Sequence, residues 1–107
     1  MRRYFLDFDY FEMTDEEREY IDLVNRLNIK FIEKTLIKNK AVQYESDKDD
    51  IIFHPGFSDN YQITYIWKKD NKPSGHISCN TLKRAAREIY TFLPNKINYL
   101  LPTKIIN

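Results

Sequence analysis

The chain has 107 residues, of which 42% are hydrophobic and 31% charged, and these values predict a single globular domain spanning residues 1–107. No segment has the roughly eighteen uninterrupted apolar residues of a membrane span, and Asp7, Asp9 and Glu12 interrupt what would be the apolar part of a signal peptide. The formal net charge is +1. The single cysteine, Cys79, excludes an internal disulfide and is typical of a reducing compartment. We therefore expect a cytoplasmic protein that does not bind membranes.

The first forty residues predict an extended segment followed by two helices. Residues 2–11 alternate loosely between apolar and acidic side chains, as an edge strand or an extended arm does. Thr14 and Glu17 have the spacing of a capping box at a helix start.

Two apolar sets follow the capping box on different sides of a helix. The first set is Tyr20, Val24, Leu27 and Phe31, and the second is Ile29, Ile32 and Leu36. The two sets lie roughly 150° apart on helical geometry. We therefore predict helices over residues 15–27 and 32–38, with a break near Asn28; one curved helix is the alternative.

The middle of the chain predicts a three-stranded antiparallel sheet, with strands at residues 51–53, 61–68 and 76–78. The second strand alternates most clearly. Its apolar face consists of Tyr61, Ile63, Tyr65 and Trp67, and we expect that face to pack against the last helix. Residues 47–50 and 69–75 predict loops, the latter because it contains Pro73 and Gly75.

Asn80 is the predicted N-cap of a last helix over residues 81–93, which Pro94 ends. The helix has an apolar stripe of Leu82, Ala85, Ala86, Ile89 and Leu93. The tail at residues 97–106 carries too many apolar side chains to remain exposed to water. Together these elements predict an α+β fold: N-terminal helices, a three-stranded antiparallel sheet and a C-terminal helix packed on one sheet face.

Few residue groups point to catalysis. A metal site would need His54, His76, Cys79 and Asp59, and this set lacks a second close pair of ligands. Cys79 with His76 would form a nucleophile and a base, but no third group that orients them can be named. We therefore predict no catalytic residue, no metal, no cofactor and no enzymatic activity.

The C-terminal part of the chain is basic, because residues 68–107 carry a net +6 against −5 for residues 1–67. The run Lys83-Arg84-Ala85-Ala86-Arg87 resembles the Lys-Lys-x-Ala-Lys motif of double-stranded-RNA-binding domains, and the hairpin followed by a basic helix also resembles the arm-type domains of phage integrases. The first resemblance implies that Lys83, Arg84 and Arg87 contact phosphates. Nucleic-acid binding is therefore the alternative function. If these three cations have no functional role, they are simply the solvent-exposed face of the last helix.

A second basic run, Arg26, Lys30, Lys34 and Lys38, forms one stripe only if the first helix is continuous.

The N-terminal part is acidic and aromatic, with eight acids and one arginine in residues 4–22. Such a surface suits a basic partner, because charge complementarity speeds capture. The predicted partner-binding residues are Asp7, Asp9, Tyr10, Glu12, Asp15, Glu16 and Glu19.

The runs LDFDYFEM (6–13) and RLNIKFIEKTL (26–36) resemble small uncharacterised proteins of low-GC Gram-positive bacteria and their mobile elements, a resemblance that implies no activity. We expect a non-catalytic accessory or inhibitor protein of a phage or mobile element that binds another protein; self-association is compatible with this expectation.

Overall fold

Two helices and a five-stranded sheet make up the part of the chain that the computed structural model describes, which is residues 13–36, 40–56, 60–94 and 97–106. The elements are α1 (Asp15–Thr35), β1 (Ala41–Glu45), β2 (Asp49–His54), β3 (Tyr61–Trp67), β4 (Lys72–Cys79), α2 (Leu82–Phe92), a 3₁₀ helix (Ile97–Leu100) and β5 (Lys104–Ile106). The sheet is antiparallel, in the order β4-β3-β2-β1-β5. The α+β class is confirmed, whereas the prediction of three strands and two N-terminal helices is wrong. The segment at residues 2–11 lies outside the described residues.

The helix α1 begins at the predicted capping box. The Thr14 side chain accepts a hydrogen bond from the Glu17 backbone N–H at 3.2 Å, and the Glu17 carboxylate accepts one from the Thr14 backbone N–H at 3.1 Å. The helix then continues without a break to Thr35, so the predicted interruption near Asn28 is wrong. Instead of ending a helix, the Asn28 side chain donates a hydrogen bond to the Tyr90 hydroxyl at 2.9 Å.

The two apolar sets of α1 lie on different sides of this single helix. The buried positions are Asn25, Ile29, Ile32 and Leu36, spaced by four, three and four residues. They form one continuous stripe toward the core, because residues at these spacings share a helix face. Three members of this stripe, Ile29, Ile32 and Leu36, are the second apolar set of the sequence, and the structure adds a polar member, Asn25.

The sequence patterns did not predict the strands β1 and β5. In β1, Val42 and Tyr44 are buried while their neighbours are not, which is the alternation expected of a strand with one covered face. The strand β5 is only three residues long and pairs with β1, more than sixty positions away, with Val42 opposite Ile105. A strand this short has no periodicity to read, and only its distant partner defines it.

The strands β2 and β4 are both longer than predicted. Asp49 and Asp50 belong to β2, and β4 begins at Lys72, where a loop was predicted. Pro73 is tolerated because β4 is an edge strand, with a register shift against β3 at Tyr65/Ile66. An edge strand presents half of its backbone groups to solvent, so a residue without an N–H need not interrupt the sheet.

The core lies between one face of the sheet and the two helices. Ile51, Phe53 and Ile63 are fully buried on that face. Where α2 packs on β3, the ring centroids of Tyr65 and Phe92 lie 4.8 Å apart. The apolar stripe predicted for α2 is buried, with Leu82 partly so. Trp67, however, is 47% exposed, so its assignment to the core is wrong. It is the last residue of β3, beyond the part of the strand that α2 covers.

Candidate interaction surface

The side of α1 that faces away from the core carries a row of large apolar side chains. Tyr20 is 66% exposed, Leu23 45%, Leu27 57% and Phe31 44%. Their spacings of three, four and four residues place them along one side of the helix. Single exposed apolar residues are ordinary, but a contiguous row is typical of an interaction site. We call these four residues the exposed row.

Acidic groups lie at the N-terminal end of the exposed row. Asp15, Glu16 and Glu19 are exposed on the first turns of α1, and Asp15 forms an ion pair with Arg18 at 3.2 Å. Glu17 differs from them, because hydrogen bonds from Thr14 occupy its carboxylate and lower its pKa. Of the predicted partner-binding residues, these three therefore lie together on one helix end. Asp7, Asp9, Tyr10 and Glu12 lie outside the described residues.

A groove of about 760 Å³ runs beside the exposed row, between α1 and the middle of α2. The lining residues from α1 are Glu16, Glu19, Tyr20, Asp22, Leu23, Asn25, Arg26 and Ile29, and α2 contributes Arg87. The groove therefore combines carboxylates, two guanidinium groups and apolar side chains. Such a lining can hold a peptide-like segment of mixed polarity through ion pairs and apolar contact.

A buried polar network fixes the two helices against each other beneath this groove. The Tyr90 hydroxyl donates a hydrogen bond to the Asn25 side-chain oxygen at 3.0 Å and accepts the one from Asn28. Burial raises the pKa of Tyr90. Because Asn25 and Tyr90 are both buried, loss of either partner would leave a polar atom without its hydrogen bond. The network links α1 to α2 beside the groove. Sequence analysis missed it because asparagines on a helix give no signal of a distant tyrosine.

The basic residues Lys83, Arg84 and Arg87 are all exposed on the first two turns of α2. They line a shallow groove of about 410 Å³ together with Asn80, Thr81 and Glu88. The N-cap of α2 is Thr81, whose hydroxyl accepts a hydrogen bond from the Arg84 backbone N–H at 3.1 Å, so the predicted cap at Asn80 is wrong by one residue.

The second basic run lies along one side of a helix, because α1 is continuous from Asp15 to Thr35. Arg26, Lys30 and Lys34 are exposed on one side of the C-terminal half of the helix, whereas Lys38 lies outside the described residues. The helix α1 thus has an acidic N-terminal half and a basic C-terminal half along the same surface.

The residues considered for metal binding or nucleophilic catalysis are separated by the sheet. Cys79 is buried on the helix-covered face, and burial raises the pKa of its thiol. His76 is exposed on the opposite face, where its Nδ1 lies 3.4 Å from the Thr64 hydroxyl. His54 is exposed on β2, and Asp59 lies outside the described residues. Among the residues described, no three His, Cys, Asp or Glu side chains are placed to hold a metal ion.

Comparisons with known proteins add no assignment: no family model, curated protein or solved structure matches this chain. Neither α1 nor α2, the two α-helices of the described ranges, combines the length and the apolar character needed to cross a membrane.

Proposed function

We propose that this chain is a non-catalytic binding protein that acts by protein–protein interaction through the exposed face of α1. The observation that carries the proposal is the exposed row, with the acidic groups Glu16 and Glu19 beside it. Apolar anchors surrounded by charge are the usual composition of a protein interface. The partner surface accordingly offers apolar side chains together with cations.

The biological setting we propose is that of an accessory or inhibitor protein of a phage or other mobile element. Two features of the chain support it: the resemblance of residues 6–13 and 26–36 to small proteins of that origin, and the acidic residues next to aromatic ones at the N-terminal end of the chain. Negative charge beside apolar anchors favours rapid capture of a basic protein surface.

Site-specific photo-crosslinking in cells that naturally produce the chain tests whether this face binds protein. A photoreactive phenylalanine replaces Leu23, in the exposed row, and in a control it replaces Thr64, on the sheet face that the helices do not cover. We expect a defined protein adduct from position 23 and none from position 64. Equal labelling from both positions, or no protein adduct from position 23, contradicts the proposal.

Neutralising the acids should slow association without unfolding the protein. In the double variant Glu16→Gln/Glu19→Gln, we expect the association rate constant for the cross-linked partner to fall roughly three- to tenfold at low salt, with a weaker dependence on salt, because charge steers encounter. The melting temperature should change little, since exposed charges contribute little to stability.

The matched control for this experiment is Asp47→Asn/Asp70→Asn, which removes two exposed carboxylates from the loops that join β1 to β2 and β3 to β4. The control should retain the native association rate. Equal slowing in both variants would mean that net charge, and not the acidic end of α1, governs encounter.

A second candidate function, nucleic-acid binding, is favoured by the start of α2. Its first turn has no acidic residue and instead presents Lys83 and Arg84, with Arg87 one turn later. Cations at a helix N-terminus are unfavourable for the helix dipole, so this placement does not serve helix stability. Phosphate groups would be attracted both by the cations and by the dipole.

Charge reversal tests this alternative. If the basic cluster binds nucleic acid, Lys83→Glu/Arg84→Glu/Arg87→Glu should abolish the gel shift of double-stranded RNA or DNA at low salt. The control variant Lys40→Glu/Lys48→Glu/Lys69→Glu changes the net charge equally at exposed positions elsewhere, and it should still bind. Absence of any gel shift by the native chain removes the alternative, and equal loss in both variants reduces it to non-specific charge attraction.

A further inference from the structure

The exposed side of α1 has the spacing of a coiled-coil seam. Positions 16, 20, 23, 27, 30 and 34 succeed one another at intervals that alternate between four and three residues, and all six side chains are exposed. The second, third and fourth of these positions are Tyr20, Leu23 and Leu27. The seam therefore has an apolar centre, with an acid at one end, Glu16, and two lysines at the other, Lys30 and Lys34.

Among the described residues, this seam lies on the side of α1 that faces away from the core. Ile29 and Ile32, which face the core, lie on nearly the opposite side of the helix from Leu23 and Leu27 on helical geometry. From Glu16 to Lys34 the seam extends about 27 Å, at about 1.5 Å per residue. A second helix can therefore lie along it without displacing anything in the described core.

We propose that the seam binds a second copy of this chain, with the two α1 helices antiparallel about a two-fold axis near position 25. The proposal rests on the proposed function, that this face of α1 binds protein, and names the partner. In this arrangement, residue i of one copy lies opposite about residue 50 − i of the other. Leu23 then packs against Leu27 of the second copy, and Tyr20 lies beside Lys30 of the second copy. A lysine ammonium over a tyrosine ring is attracted to it.

The charges at the ends of the seam select the antiparallel orientation and self-pairing. Antiparallel helices bring Glu16 of each copy to Lys34 of the other, so both ends of the interface pair opposite charges. A parallel pair would place Glu16 against Glu16 and Lys34 against Lys34, and like charges at an interface are unfavourable. A closed two-fold interface requires one surface to be complementary to itself, and a helix that is acidic at its start and basic at its end satisfies that requirement.

The first experiment measures the mass of the full-length chain by sedimentation equilibrium over a concentration series. We expect a reversible rise from the 13.0 kDa chain mass to about twice that mass. Leu27→Glu should weaken dimerisation by a hundredfold or more, on the order of losing a central apolar anchor. The control Leu101→Glu changes a leucine of similar exposure, 52% against 57%, outside α1 and should dimerise like the native chain. Circular dichroism on both variants verifies that the fold is retained.

The second experiment tests the antiparallel pairing by exchanging charges. Glu16→Lys alone and Lys34→Glu alone should each weaken self-association roughly tenfold, because each creates two repulsive pairs in its own dimer. When the two variants are mixed, the lysine introduced at position 16 faces the glutamate introduced at position 34 at one end of the mixed dimer. At the other end, the native Lys34 of one variant faces the native Glu16 of the other. The mixture should therefore recover the native dissociation constant.

The outcomes separate this proposal from the proposed function. A native chain that stays monomeric at every concentration overturns the dimer. If position 23 then cross-links to a foreign protein, the proposed function stands; if it cross-links only to residues 1–12 of its own chain, neither survives. A dimer that Leu27→Glu disrupts, but that mixing the charge variants does not restore, overturns the antiparallel arrangement.

Discussion

Replacing Phe53 with alanine should lower the free energy of unfolding by about 3–5 kcal/mol, the range found for large aromatic truncations in protein cores. Phe53 is fully buried at the centre of the sheet, between β1 and β3, and its ring stacks on that of Tyr61 with centroids 5.8 Å apart. The substitution removes this contact and leaves a cavity that the sheet cannot close, because backbone hydrogen bonds hold both neighbouring strands in register.

Trp67→Ala provides the comparison, since tryptophan is the larger side chain. Trp67 is about half exposed at the end of β3, so we expect a loss of only about 1 kcal/mol, well below that of a buried aromatic residue. Urea denaturation of the two variants measures both values. A larger loss for Trp67→Ala than for Phe53→Ala would mean that the core extends to the end of the sheet where Trp67 lies.

Stability should also fall in the alkaline range, by about 2–3 kcal/mol between pH 10 and pH 12, because of Tyr44. Tyr44 is fully buried, and burial raises its pKa from 10.0 to about 12, although a hydrogen bond with the Thr35 hydroxyl opposes part of that increase. The folded state binds this proton more tightly than the unfolded state does. The contribution of Tyr44 to the free energy of unfolding is therefore complete below pH 10, falls as the pH rises toward 12, and is lost above pH 12.

Tyr44→Phe isolates this contribution from those of other groups that titrate at high pH. The variant cannot ionise at this position, so its urea midpoint should decline less between pH 10 and pH 12 than that of the native chain. At neutral pH it should be slightly less stable, by about 1 kcal/mol, because the hydrogen bond with Thr35 is gone. Parallel declines of the two proteins would show that the Tyr44 hydroxyl is not the source.

Local sequence signals determined those features that neighbouring residues fix by themselves. The capping box of Thr14 and Glu17 is read correctly because both partners lie within four residues, and the same holds for the alternation of β3 and the apolar stripe of α2. These signals suffice for the α+β class. They also find the acids at the start of α1 and the cations at the start of α2, because charge is a property of the residue type.

Only the tertiary structure decided which side of each element is covered. The row Tyr20, Leu23, Leu27 and Phe31 has the pattern of a core-facing stripe, yet α2 packs on the other side of α1, where Asn25 hydrogen-bonds to Tyr90 across 65 positions of sequence. The same holds for β5, which is a strand only because β1 is beside it. Burial depends on contacts between residues far apart in the chain, and a periodic pattern carries no information about where the partner element lies. The candidate interaction surface is therefore the place where an apolar pattern and actual burial disagree.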